Sequence, residues 1–158
     1  MDDLLQFLLD RGPALVRRWQ FPPQKIGIES DGEHHAATAR IAYAVAWLLR
    51  HHGIRKRIDP DAISTAAGLH DEPELVTGDM PSPMKRLFKN ARRTVSCWEK
   101  RALPYLFQGA PEPLAEHLRD LVIQANDYST LTGQVTRYAD DLQALSFAVA
   151  EVRKARHD

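Results

Sequence analysis

The sequence predicts an all-α fold, on three observations. No strand-like alternation of any length appears. The apolar residues recur at helical spacing in blocks that Gly and Pro separate. At 158 residues, with 44% hydrophobic and 27% charged residues, the chain has the composition of a soluble globular protein, and a single domain over 1–158 is long enough to bury a sizeable core.

The N-terminal run Asp3-Leu4-Leu5-Gln6-Phe7-Leu8-Leu9 reads as a short amphipathic helix that stops near Gly12-Pro13. It opens acidic and has no long apolar run, so neither a signal peptide nor a membrane span is expected. A second short segment reaches Arg17-Arg18-Trp19, and an irregular stretch follows to Gly32. A loop of that length often lines a site.

Glu33 to Leu49 is strongly helical, with so little polar surface that burial is expected, and His34 and His35 stand at its start. Arg50-His51-His52-Gly53 closes it with cations at the C-terminus and Gly beyond. Asp59-Pro60-Asp61 opens the next helix, with Pro at an early position where a missing N–H is harmless. That helix carries Ile63, Ala66, Ala67 and Leu69 toward His70. A basic helical stretch spans Lys85 to Arg101, with Leu87, Phe88, Val95 and Trp98 as its packing residues. Beyond a Pro-rich break, one helix runs from Leu114 through Ala125 and reaches Asn126-Asp127, and a last one runs from about Tyr138 to Arg153.

The densest chemical signal is His70-Asp71-Glu72-Pro73-Glu74-Leu75-Val76-Thr77-Gly78-Asp79. It holds an imidazole and four carboxylates in ten residues, just after a small-residue run, Ser64-Thr65-Ala66-Ala67-Gly68. Neighbouring residues do not share a helical face, but Pro73 ends regular helix nearby and lets His70 and Asp71 converge. The dipeptide alone fits a helix cap more readily than a ligand pair. Three helices together offer His34, His70-Asp71 and Asp127, a set of two imidazoles and two carboxylates that suits one divalent cation.

Charge and cysteine narrow the alternatives. Lys+Arg and Asp+Glu both number 21, which disfavours duplex DNA as a partner despite the local cations of 85–101. The single cysteine, Cys97, permits no intrachain disulfide and no zinc-finger spacing, as expected of a cytoplasmic protein.

Arg18-Trp19, Glu33-His34, His70-Asp71, Glu74, Thr77-Gly78-Asp79 and Pro81-Ser82-Pro83-Met84-Lys85 occur in an order that resembles the HD-domain metal-dependent phosphohydrolases, and within them the bacterial 5′-deoxynucleotidases and their phage relatives. The resemblance covers residues 15 to about 140. It implies an HD-domain helical bundle and one divalent ion (Mn, Co, Mg, Zn, Fe or Ni) held by His34, His70, Asp71 and Asp127. Glu74 would be the catalytic acid or base, and Asp79 would place substrate or water. Arg18 would contact phosphate, Trp19 the sugar or base, and Lys85 a phosphate.

Two departures from the family pattern stand out. Glu72-Pro73 replaces the small residues that usually follow His-Asp. Gln124-Ala125-Asn126 places Asn where the common Ala-Asp ending has its ligand, and a shift of one residue gives Asp127, the ligand expected here, with Asn126 as the open alternative.

The implied activity is hydrolysis of the 5′-phosphate of deoxynucleoside monophosphates. A deoxynucleoside triphosphate triphosphohydrolase, with purine selectivity as one version of it, is the runner-up, and a catalytically silent nucleotide-binding module stands further off. A homodimer or higher homo-oligomer is implied, with no membrane association and no stable nucleic-acid partner.

Overall fold

The structure, a computed structural model, describes residues 29–78, 80, 85, 88 and 90–155. Among them are six α-helices: α1 (Asp31–His51), α2 (Pro60–Ala67), α3 (Glu74–Thr77), α4 (Ala91–Ala102), α5 (Glu112–Ala125) and α6 (Leu131–Ala155), with a 3-10 turn at Leu103–Tyr105 after α4. No strand occurs among the described residues, and none of these helices is long and apolar enough to cross a membrane.

Local chemistry explains the boundaries. Ser30 caps α1 through a reciprocal box: its Oγ accepts from the Glu33 N–H, while the Glu33 carboxylate accepts from the Ser30 N–H at 2.8 Å. Those Ser30 contacts hold the Glu33 carboxyl below its ordinary pKa, and losing such a cap costs about 1 kcal/mol. Asp59 caps α2 by accepting from the Asp61 and Ala62 N–H groups, with Pro60 at the first helical position. The helix stops at Ala67, three residues short of His70. His70 and Asp71 therefore sit in the turn between α2 and α3 rather than on a helix.

Helix α1 buries one stripe only. Asp31, His34, His35, Thr38, Ala42 and Ala46 are covered, whereas Tyr43, Trp47 and Leu48 are exposed. The expected burial of the whole helix does not occur; among the described elements, α2 and α6 are those that pack against it. Of the packing residues expected in 85–101, Phe88 and Trp98 are likewise exposed, Val95 is buried and Leu87 lies outside the described residues.

The core that sets the site is small-residue packing. Ala42 and Ala46 of α1 meet Ile63 and Ala67 of α2 and Val135 and Ala139 of α6, with Ile58 beneath. Methyl-sized side chains let three helix axes approach closely, and Ser64 Oγ donates to the Ala39 carbonyl across the α1–α2 contact at 3.0 Å. Leu69 packs against two further clusters, one built on Leu106, Phe107, Ala115 and Val122 and the other on Ala66, Leu121 and Ala125. The turn bearing His70 is thereby tied to α5.

Helix α6 begins at Leu131, seven residues before the position its apolar pattern predicts. The loop that precedes it folds back on its first turn, so close that a Cβ on Gly133 would lie 2.1 Å from the Asp127 carbonyl oxygen. Only glycine fits there.

Candidate metal centre

His34 is fully buried on the first turns of α1, and its Nε2 lies 3.4 Å from His70 Nε2 and 3.5 Å from Asp71 Oδ2. His70 Nε2 lies 3.2 Å from the same Asp71 oxygen. Among the described residues these three form the group whose ligand atoms all fall within 4.8 Å of one another. Adjacent donors around a cation with bonds of about 2.1 Å sit roughly 3.0–3.4 Å apart, so the separations match one coordination sphere.

The protonation pattern points the same way. The Ala67 carbonyl can only accept, so at 2.8 Å it requires a proton on His70 Nδ1. His34 Nδ1 faces Gln143 Oε1 at 2.7 Å. With those bonds made by Nδ1, both Nε2 atoms face one another and the Asp71 carboxylate, an arrangement that a cation among them would satisfy.

Asp140, on the middle of α6, stands beside this group without belonging to it. Its Oδ1 stands 3.4 Å from His34 Nε2.

Asp127, expected as the fourth ligand, is not brought to this cluster. Its side chain is exposed and closes a local turn, with Oδ1 accepting from Ser129 Oγ at 2.6 Å and from the Ser129 N–H at 3.0 Å. These two bonds hold its carboxyl below the ordinary value. Asn126 is occupied structurally as well: its Nδ2 donates to the His70 carbonyl at 2.8 Å and to the Val122 carbonyl at 3.0 Å, pinning the ligand turn to the end of α5. Asp140 is not among the residues expected from the sequence, although a signal was present. Ala139-Asp140 is the one Ala-Asp pair in the chain, and it lies a helix further on than the Ala125-Asn126 that matches the family ending.

Glu74 opens α3, buried, with its Oε1 3.7 Å from Lys85 Nζ. His70, Asp71, Glu74 and Glu99 line two adjoining clefts of about 380 and 410 Å³, within the roughly 300–1,000 Å³ usual for small-molecule sites. The more polar cleft also presents Lys85, Arg92, Arg137 and Asp140. Burial pushes the Glu99 carboxyl up, Lys85 pulls it down, Asp71 pushes it up again, and the balance is a raised pKa. His35 is buried, its ring 5.7 Å from that of His70. Arg18, Trp19 and Asp79 lie outside the described residues.

The model of the family described as 5′-deoxynucleotidase YfbR-like matches residues 13–158. The chain belongs to this family. Among curated relatives, the 5′-deoxynucleotidase of Vibrio vulnificus is 26% identical over 144 residues, which is 91% of this chain and 73% of that protein. The 5′-deoxynucleotidase of Photorhabdus laumondii is also 26% identical, over 91% and 72% of the two chains. In fold, the chain is similar to an HD-domain phosphohydrolase from Listeria innocua, with a TM-score of 0.80 at 22% identity, covering 99% of this chain and 72% of that one. The YfbR-like family and its HD-domain, all-α architecture are thus those that the sequence resemblance implied.

Proposed function

We propose that this YfbR-like protein is a divalent-metal-dependent phosphohydrolase that removes the 5′-phosphate from 2′-deoxynucleoside monophosphates. His34, His70 and Asp71 hold the ion as the sequence implied, and Asp140 takes the fourth position in place of Asp127. The observation that carries the proposal is the convergence of the two Nε2 atoms and the Asp71 carboxylate within 4.8 Å, in a chain whose family and curated relatives are named for 5′-deoxynucleotidase activity.

The bound cation supplies positive charge against the phosphoryl oxygens and acidifies water at the site. The chain's own residues do the rest. Water adds to phosphorus, the bond from phosphorus to O5′ breaks, and O5′ takes a proton, leaving a deoxynucleoside and inorganic phosphate. Glu74, at the mouth of the donor cluster, is the group that moves this proton. Lys85, 3.7 Å from it, meets the phosphoryl charge as it develops. Arg18, Trp19 and Asp79 keep, in this reading, the phosphate, sugar or base, and placement roles that the resemblance assigns them. The protein works in the cytoplasm as one domain over 1–158, assembled as a homodimer or higher homo-oligomer and without nucleic acid.

One observation favours a second reading. Arg92 and Arg137 line the same cleft as the donors, and two further cations suit a longer phosphate chain. Product analysis decides between the two. Metal-loaded protein is incubated with deoxynucleoside mono- and triphosphates, and the products are separated by chromatography. Nucleoside plus phosphate from the monophosphates supports the first reading, triphosphate released from a dNTP supports the second, and no product from any nucleotide with Mn, Co, Mg or Zn defeats both.

A further inference from the structure

Helix α6 grips both nitrogens of one imidazole. Asp140 Oδ1 faces His34 Nε2, and Gln143, one turn further along the same helix face, sets its Oε1 2.7 Å from His34 Nδ1. The Gln143 amide has a second partner: its Nε2 donates to Glu29 Oε1. Glu29, Gln143 and His34 are all buried, at 8%, 6% and 0% exposed, and Gln143 reaches the other two across more than a hundred residues of chain.

The direction of this chain of contacts follows from elementary donor counting. A carboxylate only accepts, so Glu29 takes the NH₂ end of Gln143 and turns the carbonyl end toward His34. A carbonyl only accepts, so the proton of the neutral imidazole must reside on Nδ1. Nε2 is then a lone pair aimed at His70, Asp71 and Asp140. Without Glu29 the amide has no reason to choose one orientation. Without Gln143 the proton is drawn to Nε2, where Asp140 at 3.4 Å and Asp71 at 3.5 Å would accept it.

We propose that Glu29 and Gln143 are positioning residues that lock His34 in its Nδ1–H tautomer and so keep the Nε2 lone pair available to a divalent cation. The inference rests on the metal site proposed above, but its first readout requires neither metal nor turnover. Outer partners of this kind commonly alter metal affinity 10–100-fold.

The test is a long-range ¹H–¹⁵N spectrum of the metal-free protein at alkaline pH, where the imidazoles are neutral, with His34 assigned by its loss in a His34→Asn variant. The wild type is expected to show Nδ1–H. Gln143→Leu is expected to convert His34 to Nε2–H and to weaken Zn or Mn binding, measured by chelator competition, on the order of 10–100-fold. Glu29→Gln, which keeps size but lets the amide turn over, is expected to give a mixture of tautomers and a smaller loss. The double variant is expected to bind no more weakly than Gln143→Leu alone, since both act through one imidazole.

An Nε2–H tautomer in the wild type overturns the proposal. So does a folded Gln143→Leu protein that keeps the wild-type tautomer or binds metal within twofold of wild type. If Gln143→Leu fails to fold, the wild-type spectrum and the isosteric Glu29→Gln variant decide. A wild type that shows Nδ1–H yet binds no divalent ion and hydrolyses no nucleotide defeats the proposed function while leaving the tautomer lock standing.

Discussion

Asp140 Oδ1 lies 3.4 Å from Nε2 of His34, across the contact between α6 and α1. Residues 106 positions apart thus meet at one ligand atom, whereas Asp127, thirteen residues closer in the chain, turns its carboxylate to Ser129. Asp140→Asn is therefore expected to lose most bound metal and at least a hundredfold in turnover. Asp127→Asn is expected to keep both within about twofold, with a slight fall in melting temperature from the weakened Ser129 turn. Metal content by elemental analysis checks the pair, and equal loss in the two variants would return Asp127 to the site.

Glu74, the proton-handling group of the proposed reaction, has Lys85 3.7 Å away. Replacing it with Gln should lower turnover by roughly 10²–10⁴-fold while metal content stays near that of wild type. Asp71→Ala, by contrast, should lose metal and turnover together. Matching metal losses in Glu74→Gln and Asp71→Ala would make Glu74 a ligand instead.

Glu99 has a raised pKa, chiefly from burial, which makes stability depend on pH in a definite direction. Its neutral form is favoured in the folded protein, so its contribution is fully present below the ordinary carboxylate value and is lost as pH rises through the higher folded value. Glu99→Gln fixes the neutral form. In metal-free protein it should melt at a higher temperature than wild type at pH 7, and the difference should close as pH falls below about 4. A constant difference across that range, or a lower melting temperature at pH 7, would contradict the assigned cause.

Gly133 sets two effects against each other. Alanine in a helix gains about 1 kcal/mol over glycine from propensity, but here the added Cβ would sit 2.1 Å from the Asp127 carbonyl oxygen, and the neighbour is backbone that cannot swing aside. Crowding of this kind costs about 1–3 kcal/mol. Gly133→Ala should therefore be net destabilising in a urea titration. A midpoint at or above that of wild type would show that the loop relaxes freely.

Much of the site is legible in the amino-acid sequence. His34 at a helix start, His70-Asp71 ahead of Pro73, and Glu74 four residues beyond His70 are local patterns, and the fold brings the first three together with Glu74 beside them. Legibility fails where a residue's role depends on how far along a long helix it lies. The apolar pattern of α6 predicts a start at Tyr138, but the helix begins at Leu131 because Gly133 lets the preceding loop pack against its first turn. Asn126 and Asp127, at the end of α5, therefore look like the last carboxylate position, whereas the carboxylate that the fold sets against His34 is Asp140 on α6. Gln143 and Glu29 give no signal at all, since a buried glutamine and glutamate look like surface residues until their partners are known.

Periodicity, caps and the His-Asp neighbourhood act over a few residues, so the helices, the family and the ligand types can be read from the chain alone. Which carboxylate completes the set, and what holds His34, depend instead on how the helices pack. Small side chains at Ala42, Ala46, Ala67 and Ala139 bring α1, α2 and α6 into close contact. That approach sets Asp140 and Gln143 against opposite nitrogens of a single imidazole, a distance between helices that no local pattern encodes.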